Sequence, residues 1–195
     1  ERVSGLDHQV NELTLERALE ISVGYPARFG DRFADIHAPT LEQTAISLAG
    51  HSDAISLVEL KQPSIEHVGR HALVKTVGEL LAPIAGRAII ISFDAQVLEV
   101  AKVAGFPIGF CTAKLDSLAR EECEALIPDL LLFNEIELTD TTELWAGPWR
   151  HACWEVTNVE RAVTLFDRGV HYVESMAVDE LRTDPSVCTR IDKVT

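Results

Sequence analysis

At 195 residues the chain is long enough for one sizeable domain and short for two. Hydrophobic residues are 47% and charged residues 25%, the balance of an ordinary globular protein, which excludes a disordered or low-complexity chain. Acidic residues number 31 against 17 basic ones, a formal charge of −14 with no basic cluster to offset it, which excludes nucleic acid and anionic lipid as partners but not a small anion, since a bound metal can dominate the field inside a cleft.

In chain order, residues 13–21 read as a helix opened by Thr14, with Glu16 and Arg17 in its first turn. Residues 25–39 hold Pro26, Gly30 and Pro39 and read as loop. Thr40 caps a helix running to Leu48. The first clear strand covers 54–60. One helix is expected after it, from Ile65, Val68, Leu73, Val77, Leu80 and Leu81, ended by Pro83 and Gly86. Residues 88–92 are wholly apolar up to Ser92, as in a strand buried on both faces. Asp94 caps the next helix and Gly105 stops it. A strand over 107–110, a helix over 118–126 and a strand over 129–133 follow. A short helix is expected over 141–145 and a strand over 151–156. Asn158 then caps a helix that stops at Gly169, and 170–174 is the sixth strand. One more helix around 178–181 precedes a polar tail.

Alternating strands and helices predict an α/β fold with a parallel sheet, in one domain over residues 1–195. No G-x-G-x-x-G follows a strand, so nothing marks a dinucleotide site. An eight-unit barrel takes about 250 residues, roughly 31 per unit. At that rate this chain makes about six units, matching the six strands. The expectation is a TIM (β/α)8-type barrel with strands 3–8 present and the first two βα elements missing.

No apolar run approaches the ~18 residues of a membrane helix, and Glu1, Arg2 and Asp7 make the start too polar for a signal peptide. Both predict a cytoplasmic protein without a membrane span. Cys111, Cys123, Cys153 and Cys188 show no C-x-x-C spacing and are expected as reduced thiols.

The sharpest local signal is Glu59-Leu60-Lys61 at the end of the first strand. Residues two apart on a strand point to the same face, and in a barrel the C-terminal strand ends face the active site. A carboxylate there can hold a hard metal through oxygen, and a lysine beside it can steady phosphate oxygens. The plain alternative is a strand end whose charges simply reach water. Among the histidines, His67 and His71 are four apart, a pair for one helical face, but such a pair needs further ligands to hold metal. His8, His37, His51, His151 and His171 match no motif, and none of the seven is assigned a catalytic role.

Glu59-Leu60-Lys61 resembles the E-x-K element of the glycerophosphodiester phosphodiesterases. Further echoes follow in order. Pro39-Thr40-Leu41-Glu42 resembles the P-T-L-E before that strand, and Ser92-Phe93 the S-F element after it. Pro107-Ile108-Gly109 resembles the following strand, Trp154-Glu155-Val156-Thr157 the W-T-V-N element, and the run from Gly169 to Ser175 the last strand. Arg2-Val3-Ser4-Gly5 resembles the R-T-T-G that follows the family's H-D. The resemblance implies a TIM barrel that hydrolyses a small-molecule glycerophosphodiester to glycerol 3-phosphate and an alcohol, with a divalent metal, Mg or Ca. It implies Glu59 as one metal ligand, Lys61 as the catalytic residue that contacts phosphate, and Phe93 and Trp154 as substrate-binding residues on the apolar side of the pocket.

The departures carry equal weight. The family's H-R-G, E-x-D and H-D, which supply its histidines and other metal carboxylates, have no counterpart here. Thr157 stands where the family has asparagine, and Met176 where its last strand ends in aspartate. The chain alone is therefore expected to be inactive. Two other classes remain: a non-catalytic barrel used in binding or assembly, and a Schiff-base enzyme using Lys61, which Glu59 disfavours by keeping the amine charged. Open sheet edges in a barrel short of two strands favour a homo-oligomer.

Overall fold

The computed structural model describes residues 2–7 and 9–194, so His8 lies outside the described residues. It divides the chain into two compact units. One comprises residues up to Ser56 together with Lys61–Ala88, the other Leu57–Leu60 with the residues from Ile89 onward.

The first unit is helical. Helix α1 (Leu15–Glu20) opens on Thr14, whose hydroxyl accepts from the Arg17 amide. Helix α3 (Leu41–Ala49) opens on a reciprocal cap, in which the Thr40 hydroxyl accepts from the Gln43 amide and the Gln43 side chain accepts from the Thr40 amide. Between them the expected loop contains α2 (Pro26–Phe29) and a 3-10 turn, Gly30–Phe33. Pro26 favours that start, since its fixed φ suits the first helical turn. The expected long helix after the first strand is two helices, α4 (Gln62–Val68) and α5 (Arg70–Leu80). Gly69 separates them at φ 83°, a left-handed value that ends a helix. His67 and His71 consequently sit on different helices, not on one face. Arg87 anchors the end of α3: its guanidinium donates to the carbonyls of His51, Ala54 (3.0 Å) and Leu48 (3.3 Å). This satisfies acceptors that a helix end leaves open.

The second unit carries the sheet, apart from the first residues of its first two strands, Ser56 and Ala88. Its strands are β1 (Ser56–Glu59), β2 (Ala88–Ser92), β3 (Ile108–Thr112), β4 (Leu130–Asn134), β5 (Arg150–Trp154) and β6 (Tyr172–Val173). All six fall within a few residues of their expected positions. The order is β1-β2-β3-β4-β5-β6, and β2 through β6 pair in parallel. Each strand lies beside its successor, as in the α/β barrel class, and right-handed crossovers then put every connecting helix on one face. The result is a parallel α/β half-barrel whose edges, among the described residues, are β1 and β6.

Strand alternation divides the side chains. Ile91, Cys111, Leu130, Leu132 and Ala152 cluster on one face, with Ile89, Trp154 and Tyr172 against them. The alternate residues Ile90, Ile108, Phe110, Leu131 and Phe133 point the other way and are almost fully buried. Gly109 sits within the first set: a methyl there would approach Ile91 Cγ2 and Leu132 Cδ1 to 2.8 Å. The missing side chain lets the neighbouring strands' residues close over it.

Helices α6 (Ala95–Val103), α7 (Ser117–Leu126) and α8 (Val159–Asp167) link the strands. Asp94, Asp116 and Asn158 cap them through the amides of Val97, Ala119 and Arg161. The polar tail is a correction: α9 (Val178–Thr183) is followed by α10 (Pro185–Val194), which packs against α8 and buries Val187. Arg190 of α10 forms a bidentate pair with Asp167 at 2.7 Å on both oxygens.

The helix expected over 141–145 is also absent. A 3-10 turn (Glu135–Glu137) and an extended loop occupy the β4–β5 connection. The physical reason lies in α8. Arg168 donates to the carbonyls of Leu138, Thr139 (2.7 Å) and Thr142, and Arg161 donates to Leu138 (2.9 Å) and pairs with the Glu135 carboxylate. The Thr142 carbonyl, which a helix would have used, is held by a guanidinium group instead, and so are the carbonyls of Leu138 and Thr139 just before the segment.

Candidate functional site

In a parallel sheet all strands end on one rim, and that rim is where α/β barrels collect reactive side chains. Here β1 ends on Glu59, β2 on Ser92, β3 on Thr112, β4 on Asn134 and β5 on Trp154.

Glu59 is half-buried at the last position of β1. Leu60 follows, buried, with its amide donating to the Ile91 carbonyl at 2.9 Å. Its own carbonyl accepts from the Ser92 hydroxyl at 2.8 Å, and the same hydroxyl accepts from the Asp94 amide. Ser92 is thus a buried tie between the ends of β1 and β2. Lys61 is exposed, in extended backbone just before α4.

Phe93 comes directly after β2 and is 50% exposed. Its ring meets the half-buried Trp154 at 5.7 Å between centroids, at 65°, an edge-on pair. Such a pair contributes about 0.5–1.5 kcal/mol beyond the area it buries. The two residues that sequence reasoning assigned to one apolar wall, 61 positions apart, are therefore in contact.

Two further rim residues were not anticipated. Asn134 is the register partner of Trp154 on β4. Its Nδ2 donates to Glu155 Oε2 at 2.6 Å, while its Oδ1 accepts from the Ile136 amide at 3.1 Å. Glu155 has φ 65°, a left-handed conformation rare for a residue with a Cβ. The only advance signal was the W-E-V-T spelling, where the resembling motif has threonine in place of Glu155; neither the left-handed turn nor the register was readable.

Reactive groups elsewhere are poorly suited to chemistry. Burial pushes the Cys123 and Cys153 thiols up to about 12, so both stay protonated and weakly nucleophilic. None of the four cysteines is joined in a disulfide among the described residues. His151 and His171 lie at the opposite end of the sheet, at the starts of β5 and β6. Among the described residues no three His, Cys, Asp or Glu side chains converge where a metal could be held. Glu59 is one carboxylate, not a ligand set, and the donors present do not fit a divalent cation without others.

Solved structures share this arrangement. A phosphodiesterase from Oleispira antarctica, in complex with the product sn-glycerol 3-phosphate, aligns with 98% of this chain and 75% of its own at a TM-score of 0.75 and 17% identity. This is the fold of the glycerophosphodiester phosphodiesterases. The enzyme of that name from Parabacteroides distasonis matches at a TM-score of 0.68 and 15% identity, over 93% of this chain and 72% of its own. A Silicibacter pomeroyi protein provisionally assigned as a glycerophosphoryl diester phosphodiesterase matches at 0.70 and 19%, over 97% of this chain and 70% of its own. No family model matches the sequence, and no curated protein matches it. The phosphodiesterase fold thus extends over nearly all of the chain. No helix among the described residues is long and apolar enough to cross a membrane.

Proposed function

We propose that this chain is the larger part of a metal-dependent glycerophosphodiester phosphodiesterase, which hydrolyses its substrate to glycerol 3-phosphate and an alcohol. The observation that carries this reading is the half-barrel of sequential parallel strands, alignable over nearly the whole chain with phosphodiesterase structures. The rim residues fit the same reading. Phe93 and Trp154 offer an apolar wall to the substrate. Lys61 meets the phosphate and offsets charge that builds in the transition state. Glu59 would be one of several ligands to a Mg or Ca, which would supply Lewis acidity toward the phosphate.

The remaining ligands and the proton-transferring groups come from the first two βα elements, contributed outside these residues. The 195-residue chain alone is therefore inactive. Residues 1–195 form one incomplete barrel domain, and the open edges at β1 and β6 favour self-association until those elements cover them. A cytoplasmic location belongs to the same reading.

The test is release of glycerol 3-phosphate from glycerophosphodiesters by a form extended before Glu1 by its own gene. Turnover should stop with EDTA and return with Mg or Ca. Lys61→Ala should lower kcat by about 10²–10³-fold, the cost of losing one preorganised charge contact. No hydrolysis by a folded, metal-supplemented extended form would favour a non-catalytic binding barrel instead.

A further inference from the structure

Strand alternation would send Glu155 away from Trp154. Ala152 and Trp154 share the face of Leu130 and Leu132, while Cys153 belongs to the other. The next residue should follow Cys153 toward the helices. It does not, because its φ of 65° turns the chain and brings its carboxylate to Asn134. Asn134 is the register partner of Trp154, so the carboxylate lands beside the aromatic rim. The amide of Asn134 is oriented by the Ile136 N–H, which occupies its Oδ1 and leaves the NH2 end for Glu155. A left-handed turn is unfavourable for a residue with a Cβ, and such conformations persist where the surrounding structure fixes them.

The rim therefore holds an edge-on Phe93–Trp154 pair, with Phe93 half exposed, and next to it an exposed carboxylate held by one hydrogen bond. Aromatic faces with a nearby negative charge are the chemistry that binds a cation too bulky and too poor in donors for a hydrogen-bonded site, above all a quaternary ammonium. The net charge of −14 also raises the local concentration of cations over anions. We infer that Glu155, with Phe93 and Trp154, selects a cationic alcohol headgroup of the choline type at this rim. The inference rests on the phosphodiesterase reading for its substrate, and deepens it by naming the alcohol.

The probe is choline, titrated into the 195-residue chain with EDTA present and followed by tryptophan fluorescence. The control is 3,3-dimethylbutan-1-ol, which has the same shape without the charge. Choline should bind up to about fivefold more tightly than the neutral analogue, a difference set mainly by the attraction of the exposed Glu155 carboxylate. Glu155→Gln should bring the two to near parity. Glu155→Gly removes the carboxylate while relieving the left-handed turn, so it should fold as well as the parent and still lose the preference. Equal binding of both probes by the parent chain, or a preference that survives both substitutions, overturns the inference. Hydrolysis by the extended form that is equally efficient on choline and glycerol diesters, and unmoved by Glu155→Gln, overturns it while leaving the phosphodiesterase reading intact. Choline preference in a protein whose extended form hydrolyses nothing supports the headgroup site and removes the phosphodiesterase reading.

Discussion

His151 and His171 stack at 6.0 Å between ring centroids, and each does a structural task. His151 Nε2 bonds the Trp145 carbonyl at 3.1 Å, and the His151 amide donates to His171 Nδ1 at 3.1 Å. Burial holds both imidazoles below their ordinary value, with His171 bearing further on His151 and Arg150 on His171. A folded value below the unfolded one, about 6.5, means that the unfolded chain binds more protons as pH falls. The stability from these groups is complete above about pH 6.5 and is lost below it as the folded values are approached. The urea midpoint should drop from pH 7.5 to about pH 5 more steeply in the parent than in His171→Gln, which does not titrate. Parallel pH profiles for the two would refute this. Glu59, Lys61, Phe93 and Trp154 were each visible in the sequence, because charge at an apolar strand end and rings in spaced motifs are local facts. Asn134 and Glu155 were not, because their pairing depends on register and on one left-handed φ.

Helix starts were the most legible elements. Thr14, Thr40, Asp94 and Asn158 cap as their residue types require, since an N-cap is a local bond between a side chain and an amide three residues on. The β-branched runs likewise marked the strands. The failures came where distant groups decide. Nothing near 141–145 announces that Arg161 and Arg168, from the two ends of α8, take the carbonyls of Thr142 and of the residues just before the segment. The tail looked polar because α10 buries one narrow stripe and spends its charge on Asp167. Arg168→Ala strands the Thr142 carbonyl and takes one of two donors from the carbonyls of Leu138 and Thr139, and should cost about 1–3 kcal/mol. Urea unfolding checks the loss, and amide exchange should show faster opening over residues 138–149. Unchanged exchange there would mean the loop is held by other contacts.

The class of the molecule was readable from the rhythm of strand and helix, and the arithmetic of residues per barrel unit agreed with the six strands in sequential order. What that rhythm does not contain is the chemistry of groups outside these residues. The central claim is that this rim belongs to a metal-dependent phosphodiesterase site which these 195 residues carry only in part. The most direct measurement compares glycerol 3-phosphate release from glycerophosphocholine by the 195-residue chain and by the gene's extended form, at equal concentration, with Mg or Ca and then with EDTA. The account predicts EDTA-sensitive release by the extended form and none by the shorter chain. EDTA-sensitive release by the 195-residue chain would show that the site is complete without further elements, and silence from both would remove the phosphodiesterase assignment.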